Sequence, residues 1–167
     1  MRSPWWILCF LVSFLPLQAS AYCFQDAGHR YKQDPVLLEA IGIKESGLRQ
    51  QAINQNRDKK TGQVRSSDYG VMQVNTIHVN RLIQMGLINS PDDLLADACF
   101  NVQVGAWVLA QHLRVCGNTW RCLGSYNAGF DPSTTQEHKR LRYAQDVRSI
   151  YNRLKALGAK PGNLAIR

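Results

Sequence analysis

The chain of 167 residues is 45% hydrophobic and 19% charged, and its length suits one compact domain. Its 20 Lys and Arg outweigh 12 Asp and Glu, giving a net charge of +8 that suits an anionic polymer or a membrane surface as partner. Beyond an N-terminal leader no stretch is apolar enough to span a bilayer, and export through that leader argues against nucleic acid.

Residues 1–21 read as a cleavable signal peptide. Arg2 supplies positive charge, residues 5–17 form an apolar run broken by Ser13 and Pro16, and Ala19-Ser20-Ala21 provides the small residues of a cleavage site. An uncleaved anchor is the alternative, but the run is short for a membrane span. The expected mature chain starts at Tyr22, lies in the periplasm and carries 19 Lys and Arg against 12 Asp and Glu, a net charge of +7. Cys9 leaves with the leader. Cys23, Cys99, Cys116 and Cys122 remain, an even number that suggests two disulfides in an exported chain. Three pairings are open; the short, turn-rich loop favours Cys116–Cys122, with Cys23–Cys99 as the remainder. Zinc is a competing reading. No Cys-x-x-Cys is present and His29, His78, His112 and His138 are dispersed, so no metal or other cofactor is expected.

Cys23 to Tyr31 reads as a short helix. The next helix carries an acid on an apolar face. Asp34 is its N-cap, Pro35 suits its first turn and Gly47 its stop. Leu38, Ile41 and Glu45 share one face, at i, i+3 and i+7. A carboxyl at the end of a buried stripe loses water, its pKa rises, and it becomes a proton donor of the kind glycosidic cleavage requires. The alternative is a glutamate at the edge of the stripe, reaching solvent.

The segment 50–68 is polar and reads as a long exposed loop. A short, possible β element follows near residues 63–75. Residues 76–85 look helical, with Gly86 as stop, and Ser90-Pro91-Asp92-Asp93 opens another helix. The main core helix spans 97–116, where Val102, Ala106, Leu109 and Leu113 keep helical spacing and Trp107 and Val108 widen the face. A short helix is expected over 118–126. Thr134 with Glu137 resembles a capping box for a last long helix, whose stripe is Leu141, Ala144, Val147, Tyr151, Leu154 and Leu157. Its basic residues, Lys139, Arg140, Arg142, Arg148, Arg153 and Lys155, read as a solvated face. The fold class is mainly α (α+β at most), with one domain over 22–158 and a mobile tail over 159–167.

Three segments carry the chemistry: Glu45-Ser46-Gly47, then Gly70-Val71-Met72-Gln73-Val74-Asn75, then Tyr126-Asn127-Ala128-Gly129. With Gly105-Ala106-Trp107-Val108-Leu109-Ala110 and Tyr143, their order and spacing resemble the soluble lytic transglycosylase family, within it the small exported IagB/IpgF-like group of secretion and conjugation systems. The resemblance implies a lysozyme-like fold and cleavage of the β-1,4 bond between N-acetylmuramic acid and N-acetylglucosamine in peptidoglycan, with closure of a 1,6-anhydro ring. It implies Glu45 as the catalytic acid, Ser46 as a hydroxyl that orients acid or substrate, and Gly70 as an open groove floor. Met72, Gln73, Asn75, Tyr126 and Asn127 would line sugar subsites, and Tyr143 would meet the acid. Local bonding at the helix end for Ser46, core filling for Met72, turn bonding for Gln73 and Asn75, a half-buried ring with its hydroxyl at the surface for Tyr126, and the last helix's apolar stripe for Tyr143 are the plainer alternatives. Asp68, 23 residues beyond Glu45, is a possible second carboxylate that stabilises an oxocarbenium or supports hydrolysis; otherwise it caps the turn before Gly70. A monomer is expected, with peptidoglycan strands and apparatus proteins as partners. The alternatives are a hydrolytic muramidase on the same scaffold and a catalytically idle wall-binding module. No Gly-x-Ser-x-Gly, His-Glu-x-x-His or phosphate loop is present.

Overall fold

The computed structural model describes residues 22–159 and 166. The expected signal peptide and most of the expected tail lie outside the described residues. Within the tail, Ile166 is buried against the core, so a mobile tail does not describe that residue.

Helix α1 (Phe24–Tyr31) is followed by α2 (Pro35–Ser46), whose N-cap Asp34 accepts from the Val36 amide at 2.9 Å and whose C-cap is Gly47. Leu37, Leu38 and Ile41 are buried, each contributing roughly 1.5–3 kcal/mol by its removal from water. The segment read as an exposed loop is instead a hairpin of β1 (Ile53–Arg57) and β2 (Val64–Tyr69); a short β3 (Val74–Asn75) completes an antiparallel sheet in the order β1-β2-β3. Every residue of β1 is exposed, so its Ile-Asn-Gln-Asn-Arg sequence carries no apolar alternation to announce a strand. Asn54 pairs with Asp68, and Asp68 with Asn75, which sets these three in a row across the sheet.

Helix α3 (Thr76–Gln84) is capped by Asn75, and α4 (Asp92–Ala96) is brief. Helix α5 (Ala98–Cys116) starts at the N-cap Asp97 and runs through the core, burying Val102, Val104, Ala106, Val108 and Leu109. The short helix expected at 118–126 is two, α6 (Trp120–Leu123) and α7 (Ser125–Ala128). Helix α8 (Thr134–Ala156) packs against α2, α6 and α7. Ser133, not Thr134, caps it, accepting from the Gln136 amide; Glu137 binds Arg121 and Arg140 instead of closing a capping box. The buried stripe of α8 is Tyr143, Ala144, Val147 and Tyr151, while Leu141 and Leu157 are exposed. Arg140 departs from the solvated face: it is buried and donates to the Gly129 and Asp131 carbonyls, pinning the loop after α7.

Disulfides Cys23–Cys99 and Cys116–Cys122 tie α1 to the start of α5, and the end of α5 to α6. Among the described residues no helix is long and apolar enough to cross a membrane, and no cluster of His, Cys, Asp and Glu forms a metal site.

Candidate active site

A groove of about 400 Å³ runs between the sheet and the helices α5 and α7, and Glu45 opens onto it from the last turn of α2. The apolar face of α2 carries Glu45 half into the protein, where the Tyr143 hydroxyl donates to its Oε1 at 2.5 Å. Loss of water raises the Glu45 pKa from its ordinary 4.5 to about 7. The Tyr143 bond opposes that rise, the negative charge of Asp68 adds to it, and Lys44 opposes it again. Lys44 is itself held by Asp146 at 2.6 Å. The phenols of Tyr143 and Tyr126 are pushed well above their ordinary range, by burial first and then by the charge of Glu45, so both stay protonated as donors. Tyr126 donates to the Met72 carbonyl at 2.9 Å and lines the groove beside Glu45.

Asp68 lies in the same groove. The cross-strand register aims two amides at it: Asn75 Nδ2 donates to Oδ1 at 2.6 Å and Asn56 Nδ2 to Oδ2 at 2.7 Å. Both oxygens accept, as a carboxylate does, and the side chain is fixed across the sheet rather than folded onto the turn before Gly70. Asn75 also caps α3, accepting from the Ile77 amide at 3.1 Å, and it lines the groove. Gln73 lines the groove too, with a buried amide tied to its surroundings: it donates to the Gly70 and Ala52 carbonyls and accepts from Asn54. Asn127 is an exposed lining residue.

Three expected site residues serve the scaffold instead. Ser46 is buried; its hydroxyl donates to the Val71 carbonyl at 2.8 Å and accepts from the Arg49 amide at 3.0 Å, which anchors the end of α2 to the turn after β2. Met72 is fully buried and packs on α5 at Gly105, where an added Cβ would stand 2.5 Å from its own Cβ. Gly70 has φ +74° and admits Asn101, since a Cβ there would meet Asn101 Nδ2 at 2.2 Å.

Asn101 escaped the sequence reading. It is fully buried, accepts from the Met72 amide at 2.8 Å and donates to the Tyr69 and Leu94 carbonyls, so one side chain holds the turn that carries Gln73. Its signal was a polar residue on the same helical face as Gly105 and Val108. Asn56 was likewise passed over, as part of a supposed loop. His78, His112, Ser125 and Phe130 also line the groove.

The family model described as Transglycosylase SLT domain matches residues 22–150. A "Peptidoglycan-binding-like protein" of Escherichia coli O157:H7 is 41% identical over 162 residues, covering 94% of this chain and 95% of the relative. "Protein IpgF" of Shigella flexneri is 38% identical over 87% of this chain and 90% of its own length. "Invasion protein IagB" of Salmonella typhimurium (strain SL1344) is 37% identical over 87% of this chain and 84% of its own. A match over residues 22–150, on a mainly helical fold with a small antiparallel sheet, places this chain in the Transglycosylase SLT domain family.

Proposed function

We propose that the protein is a lytic transglycosylase that cleaves the bond between N-acetylmuramic acid and N-acetylglucosamine in peptidoglycan. The observation that carries this reading is a dehydrated glutamic acid at the groove, poised near neutrality and oriented by a tyrosine. With a pKa of about 7, Glu45 populates both its acid and its base form at neutral pH. As acid, it gives its proton to the glycosidic oxygen while the bond from that oxygen to C1 of the muramoyl residue breaks. The N-acetylglucosamine side departs as an alcohol. The resulting carboxylate takes the proton of the muramoyl C6 hydroxyl as that oxygen bonds to C1. The 1,6-anhydro ring closes, Glu45 regains its proton, and no water is consumed. Positive charge at C1 is met by the substrate's acetamido oxygen and by the fixed carboxylate of Asp68.

The names of the relatives refer to peptidoglycan binding and to invasion. They suit a role at the wall, and on our reading the protein acts in the periplasm as a monomer that opens local gaps for a secretion or conjugation apparatus. Asp68 favours a second reading, a hydrolytic muramidase, because a second carboxylate in the groove could assist attack by water. Mass analysis of products from purified sacculi separates the two: anhydro-muramoyl ends support the lyase, reducing ends the muramidase. Glu45→Gln should lower turnover by roughly a thousandfold or more while leaving the fold intact. Undiminished release by that variant would overturn the assignment of the acid.

A further inference from the structure

Helices α5 and α7 meet at the groove through a hydrogen-bonded pair that the cleavage steps leave unused. His112 stands one turn beyond Val108 on α5, and its Nδ1 lies 2.8 Å from the Oγ of Ser125. Ser125 is fully buried, and its hydroxyl donates to the Cys122 carbonyl at 2.7 Å. A serine hydroxyl has one proton, and a carbonyl has none to return. With that proton committed to Cys122, Oγ can only accept from His112, so Nδ1 must carry the imidazole hydrogen. A neutral ring protonated at Nδ1 holds its lone pair at Nε2. Burial, and then the charge of His78, lower the His112 pKa from its ordinary 6.5, against a smaller upward pull from a hydrogen bond to the Ser125 backbone, and the net fall favours the neutral ring. The ring is also clamped: Phe130 lies 4.8 Å away centroid to centroid, tilted by 40°, and Tyr126 lies at 6.4 Å. His112 and the half-exposed Phe130 both line the groove, and Ser125 is the hydrogen-bonding partner of the ring among the described residues.

We propose that His112 is a sugar-positioning residue whose Nε2 accepts a hydrogen bond from a hydroxyl or acetamido N–H of an N-acetylhexosamine, with Phe130 offering an apolar face to the same ring. The proposal rests on the groove being a glycan site. Its selectivity follows from the fixed lone pair. A free hydroxyl or N–H satisfies Nε2, whereas an ether oxygen, such as one bearing a lactyl group, would oppose lone pair to lone pair.

The test uses the Glu45→Gln variant of the mature protein, with nitrogen-labelled histidines, titrated with chitohexaose and followed by NMR. The expected free state is the neutral tautomer protonated at Nδ1, and the Nε2 resonance of His112 should move as the saccharide binds. An Nε2-protonated tautomer, or saccharide binding that leaves Nε2 unmoved, overturns the proposal and leaves the cleavage reading standing. A folded variant that binds neither chitohexaose nor isolated glycan strands removes both. In the otherwise intact enzyme, His112→Leu should raise KM about three- to tenfold with kcat within about twofold, the loss of one hydrogen bond that binds without reacting. His112→Gln, which keeps an acceptor, should restore most of that loss; equal KM values for the Leu and Gln variants would reduce His112 to packing. Ser125→Ala, which releases the tautomer, should populate Nε2–H and raise KM as well; an unchanged tautomer there would also contradict the account.

Discussion

Glu45 stands where two requirements meet: the face of α2 demands burial, and a carboxylate demands water. The compromise has a measurable cost. In the folded protein the group holds its proton up to about pH 7, whereas in the unfolded chain it releases it near 4.5. Below the lower value both states bind the proton and the site is neutral to folding. Between the two values the folded state binds more protons, so stability falls as pH rises, and above about 7 the loss is complete. Glu45→Gln should therefore stabilise the protein above pH 7, by up to roughly 3 kcal/mol, with no gain below pH 4.5. Chemical denaturation at pH 4 and pH 8 checks this, and an equal gain at both would contradict it. Tyr143→Phe removes the bond that opposes the rise, so the Glu45 pKa should climb further and the alkaline limb of activity should shift upward. Helical spacing sets Glu45 on the face of Leu38 and Ile41, yet spacing alone favours a glutamate reaching solvent, and it is the motif resemblance that turns the reading toward a buried acid. The roles of Ser46, Met72 and Gly70 were not legible in the sequence, because a motif residue can sit beside a site and still face the core. Asn101 decides the matter for Gly70, and the two are far apart in the chain.

At the scale of elements, the turn between β2 and β3 depends on the fit of Gly70 to Asn101. Gly70→Ala places a methyl into that amide and strains a backbone at positive φ, so it should destabilise the fold by roughly 2–4 kcal/mol and cut activity by displacing Gln73. A loss under about 1 kcal/mol would show that the turn is held elsewhere. Apart from the stretch expected as one helix over 118–126, the helices were read within a residue or two because caps and apolar spacing announce them: Asp34 and Gly47 bound α2, and Asp97 opens α5. A β element near residues 63–75 was legible and holds β2 and β3, but the first strand of the hairpin was not. β1 has no buried face, so nothing in Ile53–Arg57 alternates, and its role in orienting Asp68 is carried by side-chain amides. Leu141 misled in the opposite direction. It is apolar at a plausible spacing, but the phase of α8 is set by Tyr143, Ala144, Val147 and Tyr151.

On the scale of the whole molecule, two cross-links of unequal reach hold the helices. Cys23–Cys99 closes a separation of 76 residues and Cys116–Cys122 one of 6. In the chain-entropy description, opening the first should cost about 4–5 kcal/mol and the second about 2 kcal/mol. Cys23→Ala/Cys99→Ala should therefore lower the denaturation midpoint more than Cys116→Ala/Cys122→Ala, and the reverse order would point to a strong local role for the α5–α6 link. Both disulfides anchor α5, which lines the groove and shares the core with α8, the helix whose Tyr143 holds Glu45. The most direct measurement of the central claim is a carbon-13 titration of the Glu45 side-chain carboxyl in the protein beginning at Tyr22, with Glu45→Gln identifying the resonance. A midpoint near 7 is expected, and it should respond to Tyr143→Phe and to a bound glycan strand. A midpoint near the ordinary 4.5, indifferent to both, would contradict the account.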